Sequence, residues 1–226
     1  MSFKIGQLKI RKTPLSKLHL PKYAPVPTFR WLITGPCESG KTYSLVYTLN
    51  KAYKGVFKRR IFFSGTISHD KTWGALKKGK YDQFIPEYNE DILLSIIEYQ
   101  KTTPKPGRML IVLDDLTSKD FHESPYLNDM IRTMRHYNIS IIFLVQRYNL
   151  VSPAIRSQIS HLTLFNITNA KELNLIAEDL PMIDKKGFLK IYQQCMKHTK
   201  IDYRPFLQIN KVRNIISHCF EFDIPY

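Results

Sequence analysis

The chain has 226 residues, of which 43% are hydrophobic and 23% charged, and it carries a formal net charge of +15. This composition argues against intrinsic disorder, and no apolar run approaches the roughly 20 residues that a membrane-spanning helix needs. Three widely spaced cysteines predict neither a disulfide framework nor a zinc site, whereas the strongly positive charge favours a polyanionic partner, with nucleic acid the leading candidate.

Residues 1–28 are predicted to form a basic leader to the folded core. Prolines punctuate this stretch, and proline lacks the backbone donor that helices and central strands require. No acidic residue occurs before Glu38, which strengthens the charge argument for nucleic acid. The leader has no apolar run typical of a secretory signal, so a soluble intracellular protein is expected.

From residue 29 onward the pattern alternates between strands and helices. An apolar strand over Phe29–Thr34 leads through a glycine-bounded loop into a helix over Thr42–Tyr53, where apolar residues recur at helical spacing. Later strands are predicted at Arg60–Ser64, Met109–Leu113, Ser140–Val145 and His161–Phe165. Later helices are predicted to start behind the N-cap residues Asn89, Ser124, Ser152 and Asn169.

This alternation predicts an α/β fold of three layers around a central, mainly parallel sheet. The core is expected to span residues 29–183, with a C-terminal extension over 184–226 packed on it. Within the extension, Phe188–Tyr192 and Tyr203–Leu207 are predicted to pair as late strands, and Lys211–Cys219 to be irregular or helical.

The segment Gly35–Thr42 has the pattern of a nucleoside triphosphate-binding loop. Glycine at both ends lets the backbone wrap closely around phosphate oxygens. Lys41 is expected to reach the β- and γ-phosphates of ATP, and the Thr42 hydroxyl to bind Mg²⁺. The residues expected to contact the nucleotide are Gly35, Pro36, Cys37, Glu38, Ser39, Gly40, Lys41, Thr42 and Tyr43.

Two carboxylates follow the apolar strand Met109–Leu113. Asp114 is expected to hold Mg²⁺, directly or through water. Asp115 then occupies the position from which a carboxylate polarises the attacking water. Glutamate is commoner there in ATPases, and the shorter aspartate keeps open a non-catalytic, nucleotide-binding assembly scaffold.

Gln146 ends the strand Ser140–Val145, where a polar amide is unusual unless it contacts something. In P-loop ATPases with an extra strand between the phosphate loop and the magnesium strand, this position senses the γ-phosphate or water. Arginines are also candidates, because an arginine from a neighbouring subunit can stabilise transition-state charge. The candidate fingers are Arg132, Arg135, Arg147 and Arg156.

The stretch Arg135–Arg147 resembles the part of the FtsK/HerA superfamily in which an arginine precedes a glutamine-ended strand. Together with Gly35–Thr42, the run Asp114–Leu116 and the segment Ser152–Arg156, it makes the chain similar to the genome-packaging ATPases of large DNA viruses, poxviruses among them, and of virophages. The resemblance covers residues 29–180. It implies a P-loop NTPase of the additional-strand, RecA/FtsK-like type.

The resemblance also implies a function. The expected activity is ATP hydrolysis that drives double-stranded DNA into a preformed capsid, in a homo-oligomeric ring that contacts capsid vertex proteins and no membrane. Such a protein would act in the host cytoplasm or virus factory and could be virion-associated. By position Arg135 matches the finger that acts in trans, with Arg156 the second candidate. The loops Lys77–Lys80 and Lys101–Arg108 are candidate DNA contacts through phosphates.

Other functions remain open from the residues. A helicase or a conjugation-type DNA-pumping ATPase would use the same motifs. A nucleotide kinase would need a lid insertion with arginines, which the sequence lacks. A GTPase is disfavoured because Asn210–Arg213 carries arginine where a guanine-binding motif needs aspartate.

Overall fold

A computed structural model describes most of the chain. The described residues are 20–21, 23–115, 124–197 and 204–219, together with the backbone of 222–224. Of the predicted leader, residues 1–19 and 22 lie outside this set, as does Leu116 of the resemblance. None of the described helices combines the length and apolarity needed to cross a bilayer.

Strands and helices alternate through the core. The strands are β1 (Arg30–Thr34), β2 (Arg59–Ser64), β3 (Asp82–Ile85), β4 (Met109–Asp114), β5 (Ile139–Val145), β6 (His161–Leu164), β7 (Leu207–Asn210), β8 (Ile215–His218) and β9 (Phe222–Ile224). The α-helices are α1 (Lys41–Lys51), α2 (Glu90–Thr102), α3 (Pro125–Thr133), α4 (Pro153–Arg156), α5 (Ala170–Glu178) and α6 (Lys185–Lys197). Short 3-10 helices lie at Lys71–Ala75, Met134–Tyr137 and Tyr148–Leu150.

The strands form one sheet in the order β3-β2-β4-β5-β1-β6-β7-β8-β9. The first six are parallel, and β7, β8 and β9 each pair antiparallel to the strand before them. Strand β5 lies between β1 and β4, so the additional-strand arrangement is confirmed. The carboxyl ends of the parallel strands share one edge of the sheet, here called the carboxyl edge, and their starts share the amino edge.

Helices cover both faces of the sheet, because successive side chains of a strand point to opposite faces. Trp31 and Ile33 pack with Leu45 of α1 on one face, whereas Leu32 packs with Leu93 of α2 on the other. Every residue of β4 and β5 is buried. The protein therefore has two hydrophobic clusters, one on each face of the sheet, and the expected three layers of an α/β fold are confirmed.

Helix starts agree with the sequence prediction. The side-chain oxygen of Asn89 accepts a 2.9 Å hydrogen bond from the backbone of Ile92. Ser124, Ser152 and Asn169 cap α3, α4 and α5 in the same way. These caps satisfy backbone donors that a helix leaves free at its start.

The prediction of a strand over Phe188–Tyr192 is wrong, because this segment lies within α6. Phe188, Ile191, Tyr192 and Cys195 are the buried residues of that helix, and their spacing places them on one face. The five residues Phe188–Tyr192 are too few to show the helical period, which becomes clear only over the whole of Lys185–Lys197. Burial of the thiol raises the pKa of Cys195 to about 12.

The prediction for Lys211–Cys219 is also wrong, since most of this segment forms a turn and strand β8. The Asn210 side-chain oxygen closes the turn by accepting hydrogen bonds from the backbones of Val212 and Arg213. Strand β7 begins at Leu207, so the predicted strand over Tyr203–Leu207 is displaced towards the C-terminus, and Tyr203 itself is outside the described residues. The extension thus continues the central sheet.

Strand β3 was not predicted from the sequence. It is a short edge strand with half-exposed residues, which gives no clear alternation of polar and apolar side chains. Its position depends on a long-range contact, because Arg60 Nε donates a 3.0 Å hydrogen bond to Asp82.

Candidate nucleotide-binding site

Seven of the nine predicted nucleotide-contacting residues line one cleft, and Gly35 and Pro36 are not part of its lining. The cleft lies at the carboxyl edge, where β1, β4 and β5 end side by side, and has a volume of about 590 Å³. Its lining comprises Cys37, Glu38, Ser39, Gly40, Lys41, Thr42, Tyr43, Thr66, His69, Asp70, Thr72, Asp114, Asp115, Leu144, Gln146 and Arg204. Parallel strands deliver these loops to the same edge, which is the usual place for ligands in open α/β sheets.

Glycine is required at both ends of the phosphate loop. A Cβ at Gly35 would lie 2.6 Å from the Cβ of Phe165, which is closer than two carbon atoms can approach. Gly40 has a φ of +99°, in the left-handed region that side chains disfavour, and it caps α1. The loop therefore packs against Phe165, the residue that follows β6, and leads directly into helix α1.

Lys41 is folded back onto the phosphate loop. Its Nζ donates hydrogen bonds of 2.7 Å to the carbonyl oxygens of Gly35 and Pro36. Burial lowers the pKa of Lys41, while the carboxylates of Asp115 and Asp114 act in the opposite direction. A cation that is partly stripped of water and close to backbone N–H groups suits the oxygens of a triphosphate.

Asp114 is buried at the end of β4, and two hydroxyls hold it. Ser64 Oγ donates a 2.7 Å hydrogen bond to Asp114 Oδ2, and Thr66 Oγ1 lies 3.2 Å from the same oxygen. Burial raises the pKa of Asp114, and the two hydroxyls oppose that rise. Sequence reasoning missed both hydroxyls, because they act through the pairing of β2 with β4, which sets Ser64 opposite Asp114.

The oxygen ligands that the protein offers in the cleft fit a magnesium ion that is bound chiefly by the nucleotide. Among described residues both hydrogen bonds to Asp114 fall on Oδ2, so Oδ1 stays available to a cation. Thr42 adds a hydroxyl in the first turn of α1. One carboxylate and one hydroxyl are few ligands, and Mg²⁺ sites on nucleotides take the remainder from phosphates and water.

Asp115 and Gln146 meet across the ends of β4 and β5. Gln146 Nε2 donates a 2.7 Å hydrogen bond to Asp115 Oδ2. Asp115 adopts a left-handed backbone with a φ of +51°, and its N–H donates to the carbonyl of Leu144. This conformation turns the second carboxylate out of the strand and towards the cleft.

The two candidate fingers lie in different surroundings. Arg135 is exposed at the amino edge, in the 3-10 helix before β5. The cleft lies at the other end of the strands. Arg156 is buried, and its Nε lies 2.9 Å from the carboxylate of Asp179 in an ion pair. Arg132 and Arg147 are exposed. Of the two candidates, Arg135 is exposed at the surface and Arg156 is buried in an ion pair.

Arg204 also lines the cleft, although no motif in the sequence indicates it. Its guanidinium donates a hydrogen bond to the carbonyl of Glu38 in the phosphate loop. The residue precedes β7, which pairs antiparallel to β6 and thereby brings the C-terminal extension beside the loop. The position of Arg204 beside the phosphate loop follows only from the pairing of β7 with β6.

Comparison with known proteins assigns the family. The model described as "Poxvirus A32 protein" matches residues 24–213. The chain belongs to this family. The resemblance to packaging ATPases of the poxvirus type is thereby confirmed for this A32-family chain.

Curated relatives of the A32-family chain include the DNA packaging protein OPG160 of Variola virus and of Vaccinia virus (strain Copenhagen). Each is 28% identical over 167 residues, an alignment that covers 70% of this chain and 60% of the relative. The chain therefore spans about 60% of the length of the curated relatives it matches.

Solved structures share the fold. The genome packaging NTPase B204 of Sulfolobus turreted icosahedral virus 2, in complex with AMP, aligns with a TM-score of 0.62 at 16% identity and covers 88% of this chain and 98% of that one. The pCW3 conjugation coupling protein TcpA, bound to ATPγS, aligns with a TM-score of 0.54 at 16% identity over 80% of this chain and 57% of that one. At such identity these likenesses show a common P-loop fold.

Proposed function

We propose that this A32-family chain is an ATPase that drives double-stranded DNA into a viral capsid. The observation that carries the proposal is the convergence of Lys41, Asp114 and the Asp115–Gln146 pair on one cleft at the carboxyl edge. These groups are the ones that phosphoryl transfer to water needs: a cation for the phosphates, a metal-binding carboxylate and a carboxylate that can orient water.

Each residue has a definite part in this proposal. Lys41 and the N–H groups at the start of α1 bind the phosphates of ATP. Asp114 and Thr42 hold Mg²⁺, which supplies positive charge to the phosphate oxygens when it is bound. Asp115 accepts a hydrogen bond from the attacking water, while Gln146 fixes the rotamer of Asp115 and senses the γ-phosphate.

Completion of the site requires a second subunit in this proposal. The described part of the cleft contains one arginine, Arg204, which contacts the loop backbone. Arg135 lies at the opposite edge of the sheet and cannot reach its own subunit's cleft. A head-to-tail ring would place Arg135 of one subunit at the cleft of the next, as heterologous interfaces allow.

DNA is the favoured substrate for two reasons. The net charge of +15 suits a polyanion, and the curated relatives carry the name DNA packaging protein. The proposal includes capsid vertex proteins as docking partners and the host cytoplasm or virus factory as the place of action.

The decisive experiment measures ATP hydrolysis with and without linear double-stranded DNA. A second measurement gives the mass of the assembly with and without nucleotide. We expect DNA to stimulate turnover and nucleotide to favour a ring. Lys41→Ala should abolish turnover. Equal background turnover in the natural protein and in Lys41→Ala would favour the scaffold function instead.

Two alternatives use the same cleft for other work. A helicase would unwind duplex with single-strand polarity, whereas a packaging motor translocates without unwinding. Phosphoryl transfer to a nucleoside monophosphate would identify a nucleotide kinase. Strand-displacement and kinase assays on the same preparation separate these outcomes.

A further inference from the structure

The amino edge of the sheet is strongly basic near β2, β3 and β4. The connections that lead into these strands, residues 52–58, 76–81 and 103–108, contain seven lysines or arginines and no aspartate or glutamate. Because the three strands are parallel neighbours, their connections meet at the same edge. That edge lies at the other end of the strands from the nucleotide cleft.

Arg59 stands at the centre of this region, at the first position of β2. Its guanidinium lies 5.1 Å from the ring centroid of Tyr81 and 4.6 Å from that of Tyr99. It also donates a 3.3 Å hydrogen bond to the Tyr99 hydroxyl. Lys80 Nζ lies 5.4 Å from the ring of Tyr81. Two tyrosines therefore hold two cations in fixed positions at the surface.

The connection into β4 continues the same surface. The backbone N–H of Lys58 donates a 2.8 Å hydrogen bond to the carbonyl of Arg108. The Lys58 side chain lies against Gly107, where a Cβ would come within 2.7 Å of the lysine Cδ. We call this surface the basic patch, and its members are Lys58, Arg59, Lys80, Tyr81, Tyr99 and Arg108.

The charge of the basic patch is not neutralised within the described part of the chain. No described carboxylate lies within ion-pair distance of its cations. The neighbouring Asp82 already pairs with Arg60 at 2.5 Å. Arg59 Nε is buried and has no hydrogen-bond partner among described residues. A surface with several fixed, uncompensated cations attracts a polyanion.

We propose that the basic patch binds the phosphate backbone of double-stranded DNA. This inference rests on the proposed function and specifies where the substrate is held. Arg59 lies over the rings of Tyr81 and Tyr99, and Lys80 lies over that of Tyr81. Duplex is favoured over single strands because a single strand would need these ring faces to stack its bases. Phosphates, in contrast, need only the exposed cations.

The site of the basic patch has a mechanical consequence. Strand β2 carries Arg59 at its first residue and Ser64, which holds Asp114, at its last. The two ends lie about 17 Å apart at the usual rise of a strand. DNA on the patch would leave the nucleotide cleft of the same subunit open, and one strand would join the two sites.

Equilibrium binding of a short labelled duplex of mixed sequence tests the proposal, without ATP, over a series of KCl concentrations. The test variant is Lys58→Gln with Lys80→Gln, and the control is Lys171→Gln with Lys190→Gln, two exposed lysines on α5 and α6. The test variant should weaken binding about tenfold and lower the slope of log affinity against log salt by about 1 to 2. The control should bind as the natural protein does, and both variants should keep the DNA-independent ATPase rate.

The outcomes separate the two proposals. If the natural protein binds no duplex, the packaging function itself fails. If it binds duplex and the test variant binds equally well with an unchanged slope, only the basic patch is overturned. The proposal for the basic patch would also be overturned if the test variant lost single-strand binding and kept duplex binding, because the patch would then bind a different substrate. Circular dichroism of the test variant excludes unfolding as the cause of weaker binding.

Discussion

The side-chain amide of Gln146 donates a 2.7 Å hydrogen bond to the carboxylate of Asp115. Gln146 follows β5 and Asp115 follows the neighbouring strand β4, so the bond fixes the orientation of the carboxylate relative to the end of β5. A shortened acidic residue can still occupy a catalytic position when its rotamer is held in this way.

Asp115→Asn should lower kcat for ATP hydrolysis by about 10²- to 10⁴-fold, the range expected for loss of a general base. Gln146→Ala should have a smaller effect, about tenfold, since it frees the rotamer and leaves the carboxylate. Nucleotide affinity should stay nearly unchanged in both, measured by titration with a fluorescent ATP analogue. Unaltered turnover in Asp115→Asn would contradict the role of this residue.

Ser64→Ala should raise the Mg²⁺ concentration for half-maximal ATPase activity about tenfold, because loss of a partner that orients a metal ligand weakens the metal site. The Ser64 hydroxyl donates the shorter of the two hydrogen bonds to Asp114 Oδ2, at 2.7 Å, and its loss would leave only the 3.2 Å contact from Thr66 among described residues. Ser68→Ala, at an exposed position in the following loop, serves as the control. The measurement is a Mg²⁺ titration at saturating ATP, and an unchanged midpoint would exclude Ser64 from this role.

Mixtures of Arg135→Ala and Asp115→Ala subunits test whether the finger acts in trans. Each variant alone should be inactive, because one lacks the finger and the other lacks the base. In an equal mixture about a quarter of head-to-tail interfaces would combine an intact Asp115 with an intact Arg135, so part of the activity should return. If no ratio of the two restores turnover, Arg135 loses this assignment.

Arg156→Ala should lower the free energy of unfolding by about 2 kcal/mol, since it leaves Asp179 without its ion-pair partner in a half-buried site. Tyr148 would also lose the guanidinium that lies 5.2 Å from its ring. Arg135→Ala, at an exposed position, should change stability by less than about 0.5 kcal/mol. Denaturant unfolding distinguishes the two, and equal stability in both variants would show that Arg156 has no such structural role.

The buried imidazole of His161 should make stability depend on pH. Burial, with a smaller contribution from Arg213, lowers the pKa of His161 from 6.5 to about 4. Between pH 6.5 and pH 4 His161 binds a proton in the unfolded chain but stays neutral in the native state. The stability associated with the neutral imidazole is therefore complete above pH 6.5 and is lost towards pH 4. Its full size is about 3 kcal/mol.

His161→Gln removes the titrating group from the start of β6. The unfolding free energy of the natural protein minus that of this variant should therefore fall as the pH drops below 6.5, and stay constant above it. Chemical unfolding at a series of pH values measures that difference. A constant difference over the whole range would show that His161 titrates alike in both states.

The sequence by itself determined the local features of this protein. Glycines and Lys41 define the phosphate loop, N-cap residues such as Asn89 and Ser124 start the helices, and fully apolar runs mark the buried strands. Each of these depends on residues within a few positions of one another, so the chain reports them directly. The Asp115 and Gln146 positions followed because each stands at the end of such a run.

Only the tertiary structure decided the rest, because those features join residues that are far apart along the chain. The strand pair β2–β4 brings Ser64 to Asp114, 50 positions away. The antiparallel pairing of β7 with β6 brings Arg204 to the phosphate loop. Arg59 of β2 meets Tyr99 of helix α2, 40 positions away. Strand order is set by burial of whole faces and by backbone hydrogen bonds between strands, which no local pattern of residues records.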